Sequence, residues 1–383
     1  MSTYARYPVA FERGEGCRVW DSDGKEYLDF LSGIGVNNLG HCPPKVVEAI
    51  RQQAGSLIHT SNLYRIPGQE RLAERLTESC FADQAFFCNS GAEANEAAIK
   101  LVRKYQRDNG RPGRFEIITT INSFHGRTIT TLTASGQEKV QRGFDPLAPG
   151  FRYVPFGDIE AVEKAVSSYT AAILVEPIQG EAGVRVPPDG YLEALRRIAD
   201  HHDLLLVFDE VQTGMGRTGR MWGHQWTKVA PDVMTIAKAI ASGLPMGACL
   251  ASARVAKTLS PGTHGSTFGG NPLCCAAANA TLDMLLDDGV LEGAEEKGKR
   301  FEAGLRDIME RHKLVKEVRG RGLMLAMVLN APAEEVAAIS LSRGLLLNCT
   351  MGTILRFLPP LIVSDEEIER ALTILDGVLT DLF

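Results

Sequence analysis

Between Val19 and Leu31 apolar and polar residues alternate about Asp23-Gly24, a dipeptide suited to a tight turn, and the pattern predicts two short strands joined as a hairpin. The hairpin reads as an N-terminal β arm. From Pro44 to Ala54 the spacing changes, because Val46, Val47, Ile50 and Ala54 recur along one side of a helix, and a second helical pattern follows from Leu72 to Thr77. The middle of the chain alternates helical stretches with short apolar runs at Phe115 to Thr120, Ala171 to Val175, Leu204 to Phe208 and Val233 to Ile236. Strands this apolar suit a sheet covered by helices on both faces, so the alternation predicts βαβ units around a mainly parallel sheet, with ligands gathering at the carboxyl ends of the strands. Beyond a long helical stretch from Leu273 come a strand at Leu323 to Leu329, a helix at Ala333 to Ser342, and strands at Leu345 to Leu347 and Thr353 to Phe357. A last helix, Ser364 to Leu382, opens with Ser364 as N-cap and Glu367 at the capping-box position.

Composition narrows the role. At 383 residues the chain is long for a single core, so a large and a small domain are expected. A net charge of -6 offers no basic face for nucleic acid. Met1 to Cys17 carries Arg6, Glu12, Arg13 and Glu15 and so lacks the apolar core of a signal peptide, and no apolar run is long enough to cross a bilayer. A soluble, cytoplasmic protein is expected. No cysteine pair has the two-residue separation of a zinc or redox site, which leaves the thiols free and buried and predicts no metal.

Four constellations carry candidate chemistry. Asn89-Ser90-Gly91-Ala92-Glu93-Ala94-Asn95-Glu96 opens a helical run, and a small-residue turn at a helix N-terminus either caps the helix or receives an anion such as phosphate. Ser123-Phe124-His125-Gly126-Arg127 sets an aromatic ring beside a guanidinium; Phe124 could stack on a flat ring and Arg127 could clamp a carboxylate, or the two could be a core aromatic and a solvated cation. Asp209 ends an apolar strand, where a carboxylate needs a partner: a protonated ring nitrogen, a magnesium ion or a helix end. Lys238 follows another such strand, and a lysine in apolar surroundings becomes a neutral, nucleophilic amine unless it reaches the surface.

Together, and in this order, these motifs resemble the class III (ornithine/GABA-type) aminotransferases that use pyridoxal 5'-phosphate on the fold-type-I scaffold. The resemblance runs from Arg13-Gly14-Glu15-Gly16 through Gln179-Gly180-Glu181-Ala182-Gly183 and His264-Gly265-Ser266-Thr267 to Arg356-Phe357-Leu358-Pro359-Pro360. It implies an α/β large domain with a mainly parallel seven-stranded sheet over residues 44–272, a small α+β domain over 273–383, and an arm over 1–43. It further implies that Ser90, Gly91 and Ala92 cradle the cofactor phosphate, Phe124 stacks on its ring, Val211 belongs to the cofactor-binding set, Asp209 meets the ring nitrogen, Gln212 the phenolic oxygen, and Lys238 carries it as a Schiff base. Arg127 would hold the substrate α-carboxylate, and Arg356, paired with Glu181, that of glutamate or 2-oxoglutarate. Ser266 and Thr267 would reach the neighbouring subunit's substrate and phosphate, which makes a homodimer. The implied amino donor is an N-acylated ornithine, with free ornithine, GABA and N-succinyl-diaminopimelate as rivals. Other readings are an aminomutase on the same fold and a non-catalytic binding protein. Tyr64-Arg65-Ile66-Pro67 and Trp222-Gly223-His224-Gln225 depart from the family pattern and are expected at the edge of the pocket.

Overall fold

The alternating arm forms as expected, and it gains a strand on either side. In the computed structural model, which describes residues 1–382, β1 (Phe11–Glu15) pairs antiparallel with β2 (Arg18–Asp21), and β2 with β3 (Glu26–Asp29). The turn between β2 and β3 closes through Asp21 Oδ1, which accepts from the backbone N–H groups of Asp23 and Lys25 at 3.0 and 2.9 Å.

The centre of the molecule is built mainly from strands buried on both faces. A seven-stranded sheet joins β4 (Gln84–Cys88), β5 (Glu116–Thr120), β6 (Phe151–Val154), β7 (Thr170–Val175), β8 (Leu205–Asp209), β9 (Val233–Ile236) and β10 (Gly247–Ala251) in the order β4-β10-β9-β8-β7-β5-β6. All pairings are parallel except those of β10, which runs antiparallel to both neighbours. The four apolar runs of the sequence are β5, β7, β8 and β9. The sheet is completed by β4 and by two strands without that signal: β6 is an edge strand with exposed positions, and β10 is Gly-Ala-Cys-Leu-Ala, buried throughout but without a β-branched residue.

The C-terminal part carries its own four-stranded sheet, β11 (Val315–Arg321), β12 (Met324–Leu329), β14 (Asn348–Thr350) and β15 (Ile354–Phe357), in the order β11-β12-β15-β14. The short strand β13 (Leu345–Leu346) leaves it to pair parallel with β3 of the arm. The helical stretch after Leu273 is two helices, Pro272–Leu282 and Val290–Arg311, separated by a π turn over Asp283–Asp287 and by Gly289 in the left-handed region. The last helix opens with the expected reciprocal cap: Glu367 N–H donates to Ser364 Oγ at 3.2 Å and Ser364 N–H to Glu367 Oε2 at 3.0 Å. All eight cysteines are free, but they are not all buried, since Cys42 is exposed.

Two contacts tie these parts together. Phe30, Phe301 and Phe357 stack edge to face with centroids 5.3 and 5.4 Å apart, joining arm, long helix and C-terminal sheet. Arg217 is fully buried, and its guanidinium donates to the carbonyls of Leu323 and Pro359 at 2.9 and 2.6 Å and to Asn38 Oδ1 at 2.5 Å. Asn38 in turn donates to the Met215 carbonyl at 2.9 Å. Burial lowers the Arg217 pKa to about 9.

Candidate active site

A cavity of about 430 Å³ opens at the carboxyl ends of β4, β5, β7, β8 and β9, where the parallel sheet places its strand ends. On one wall the Gly91–Asp108 helix begins. Ser90 is its N-cap, accepting from Glu93 N–H at 3.2 Å, while Glu93 reaches back to Asn89 N–H and Ser90 Oγ at 2.9 and 3.0 Å. The first N–H groups of the helix, from Gly91 and Ala92, have no carbonyl within the helix to bond and face this anion-favouring end. Side chains are excluded where the walls meet: a Cβ on Gly91 would lie 2.9 Å from Val211, and one on Gly180 would overlap the Gln212 amide at 2.0 Å.

Asp209, at the end of β8, is held from several sides. Its Oδ2 accepts from Asn95 Nδ2 at 2.8 Å and meets His125 Nδ1 at 2.7 Å, and its Oδ1 accepts from Val211 N–H at 3.0 Å. Asn95 is oriented by Thr235 Oγ1, which donates to its Oδ1 at 2.8 Å, and His125 Nε2 lies 3.3 Å from Thr119 Oγ1. The carboxylate is therefore fixed before any ligand arrives. Facing it, Phe124 lines the cavity and carries the Arg127 guanidinium over its ring, 5.5 Å from the centroid. Arg127 is exposed and makes no ion pair among the described residues.

Lys238 follows β9 with a backbone φ of 49°, an unfavourable conformation for a side-chain-bearing residue, of the kind found at functional sites. Burial pushes its amine below the ordinary lysine value, opposed by Glu181 and reinforced by Arg356. Across the cavity Arg356 Nη1 meets Glu181 Oε1 at 2.6 Å and donates to the Gly180 carbonyl at 3.2 Å, with Gln212 Oε1 at 3.4 Å. Its Nη2 donates to Asn348 at 2.7 Å. Burial would raise the Glu181 pKa, but Arg356 first and Lys238 next outweigh it and hold the carboxyl near 2.

Ser90, Gly91, Ala92, Phe124 and Arg127 thus line one cavity with Glu181, Asp209, Val211, Gln212 and Lys238, while Arg356 reaches it through Glu181 and Gln212. Ser266 and Thr267 do not line it. Ser266 Oγ accepts from Asn89 Nδ2 at 3.3 Å and from Gly269 N–H at 3.0 Å, and Thr267 is exposed. The Trp222–Gln225 segment also lies elsewhere, contrary to expectation: Trp222 is fully buried with its indole N–H on Ser79, and His224 pairs with the buried Glu210 at 2.9 Å. Three residues of the site were not singled out from sequence: Asn95, His125 and Glu176. Glu176 follows β7 and accepts from Phe124 N–H at 3.0 Å and Gly180 N–H at 3.1 Å. Burial raises its pKa to about 7, His125 lowering it and Asp209 adding to the rise.

The donor set fits one kind of guest. A helix N-terminus for a phosphate, an anchored carboxylate for a protonated ring nitrogen, an aromatic face and a buried amine of lowered pKa for an aldehyde are the complement of pyridoxal phosphate.

A fold of this type with this site defines a class, and the chain belongs to it: the family model Aminotransferase class-III matches residues 2–379. An acetylornithine aminotransferase of Caldanaerobacter subterraneus is 52% identical over 383 residues, spanning 100% of this chain and 97% of the relative. Among solved structures, the ornithine aminotransferase of Toxoplasma gondii superposes with a TM-score of 0.96 at 36% identity, covering 100% of this chain and 92% of that one. The N-acetylornithine aminotransferase of Stenotrophomonas maltophilia does so with 0.87 at 40% identity, covering 99% and 98%.

Proposed function

We propose that this chain transfers the δ-amino group of Nα-acetyl-L-ornithine to 2-oxoglutarate, giving N-acetyl-L-glutamate 5-semialdehyde and L-glutamate, as in arginine biosynthesis. The observation that carries this reading is the Arg356–Glu181 pair at 2.6 Å beside the buried Lys238 amine. A site that alternates between an amino donor without a terminal carboxylate and a dicarboxylate acceptor needs a cation that can be neutralised for one and released for the other. Relatives named for acetylornithine at about half identity over the whole chain support the donor. An aminomutase, which keeps its nitrogen within one molecule, has no use for the second arginine.

When bound, pyridoxal phosphate supplies an electron sink that stabilises negative charge on the substrate carbon bearing the reacting nitrogen. Ser90, Gly91 and Ala92 receive its phosphate, Phe124 and Val211 bracket its ring, Asp209 keeps the ring nitrogen protonated, and Gln212 meets the phenolic oxygen. Lys238 anchors it covalently. The same amine, its pKa lowered by burial, takes the proton from the carbon that bears the reacting nitrogen and returns it on the other side of the exchange. Arg127 clamps the α-carboxylate of the donor, and Arg356 that of the acceptor once Glu181 turns away. Ser266 and Thr267 complete the neighbouring subunit's site in a homodimer.

Borohydride reduction followed by mass measurement tests the anchor: wild type retains the cofactor mass on the peptide containing Lys238, and Lys238→Ala retains none. A single-turnover panel of acetylornithine, succinylornithine, ornithine, GABA and N-succinyl-diaminopimelate tests the donor. Faster amino transfer from any of the other four than from acetylornithine would overturn the substrate assignment.

A further inference from the structure

Glu176 lines the cavity, the reading above gives it no part, and it is bound on both oxygens. Its Oε1 accepts from Phe124 N–H at 3.0 Å and its Oε2 from Gly180 N–H at 3.1 Å. Those two amides belong to two different loops at the ends of neighbouring strands: Phe124 sits in the loop after β5, and Gly180 in the loop after β7 that carries Glu181.

Gly180 is the junction on its side. Its carbonyl accepts from Arg356 Nη1 at 3.2 Å, and a Cβ at this position would meet Gln212 Oε1 at 2.0 Å, so the Gln212 amide packs directly against the glycine. This peptide therefore touches the arginine and the glutamine at once.

We propose that Glu176 is a positioning residue that sets the spacing between the Phe124 wall and the Glu181–Arg356 pair, and so tunes the preference between amino donor and dicarboxylate. The proposal rests on the aminotransferase reading for its second half; the strap itself does not.

The chemistry of the strap predicts its failure mode. A carboxylate offers acceptors to two N–H groups, whereas an amide of the same length offers one oxygen and turns an NH2 group toward the other N–H. Glu176→Gln thus keeps volume and breaks one arm. Glu176→Asp keeps the charge but is one methylene too short to span both.

Two measurements test this. In cofactor-free protein, hydrogen exchange at the Phe124 and Gly180 amides should accelerate about 10-fold or more in Glu176→Gln, as expected for loss of a hydrogen bond to a charged group. Exchange at distant strands should be unchanged. If Glu176→Gln does not accumulate as folded protein, Glu176→Asp gives the same reading. In the holoenzyme, Glu176→Gln should shift the ratio of kcat/KM for acetylornithine to that for 2-oxoglutarate by about 10-fold, and the shift should vanish in a Glu181→Ala background, because coupled residues are not additive. Unchanged exchange at both amides overturns the strap. Unchanged substrate preference, or an equal shift with and without Glu181, overturns the tuning. A failure of the aminotransferase reading would show instead as no covalent cofactor on Lys238, with the exchange result untouched.

Discussion

The two arginines assigned to carboxylates live in opposite circumstances. Arg356 is buried and already bonded to Glu181, Gly180 and Asn348, whereas Arg127 is exposed and rests only on the face of Phe124. A buried guanidinium needs its partners to be stable at all, so Arg356 is an occupied clamp that must be vacated. Arg127 needs no partner and stands open. The difference teaches that one site can serve two substrates by keeping one cation always available and the other conditionally so.

Mutations should separate the two behaviours. Arg356→Ala should have the largest effect, lowering kcat/KM for 2-oxoglutarate about 1,000-fold and costing about 3 kcal/mol of stability, because Glu181 loses the partner that offsets its burial. Urea denaturation and half-reaction kinetics check both. Arg127→Ala should lower kcat/KM about 100-fold for donor and acceptor alike, since two charge-assisted hydrogen bonds are lost, while stability stays within about 0.5 kcal/mol of wild type. A stability loss like that of Arg356→Ala would erase the contrast. Glu181→Gln should move the two half-reactions in opposite directions by about 10-fold, with 2-oxoglutarate favoured, since the amide no longer neutralises Arg356. Equal effects on both would remove Glu181 as the gate.

The smallest effect is on acid stability. The Glu181 carboxyl is held near 2, below the ordinary value of 4.5, so its pairing contributes fully above 4.5 and is lost as pH falls toward 2. Thermal melts of Glu181→Gln should therefore fall less steeply than wild type across that window.

Much of this was legible in the sequence, for identifiable reasons. Buried parallel strands are apolar at nearly every position, so β5, β7, β8 and β9 stood out, and Asp209 and Lys238 at the ends of β8 and β9 were found with them. Strands that lack that signature escaped: β6 at the sheet edge, β10 with its small residues, and β11, where Val315-Lys316-Glu317-Val318-Arg319 breaks strict alternation. Glu176 ends an apolar strand as Asp209 does, so the rule that flagged one applied equally to the other. Asn95 and His125 lay inside motifs already marked, but nothing local says that both side chains turn toward Asp209 across about 80 to 115 residues of chain. Trp222 and His224 looked like rim residues because their roles depend on Ser79 and Glu210, which are remote in sequence or hidden by burial.

Arg217 has a consequence for how the molecule comes apart. Its guanidinium bonds Asn38 from the N-terminal segment and the carbonyls of Leu323 and Pro359 from the C-terminal part, and among the described residues no carboxylate takes up its hydrogen bonds. Detaching either segment strands a buried cation, so neither can loosen first without the cost falling on the rest. The chain should melt in a single calorimetric transition, its calorimetric and van't Hoff enthalpies agreeing, and Arg217→Met should split that transition in two.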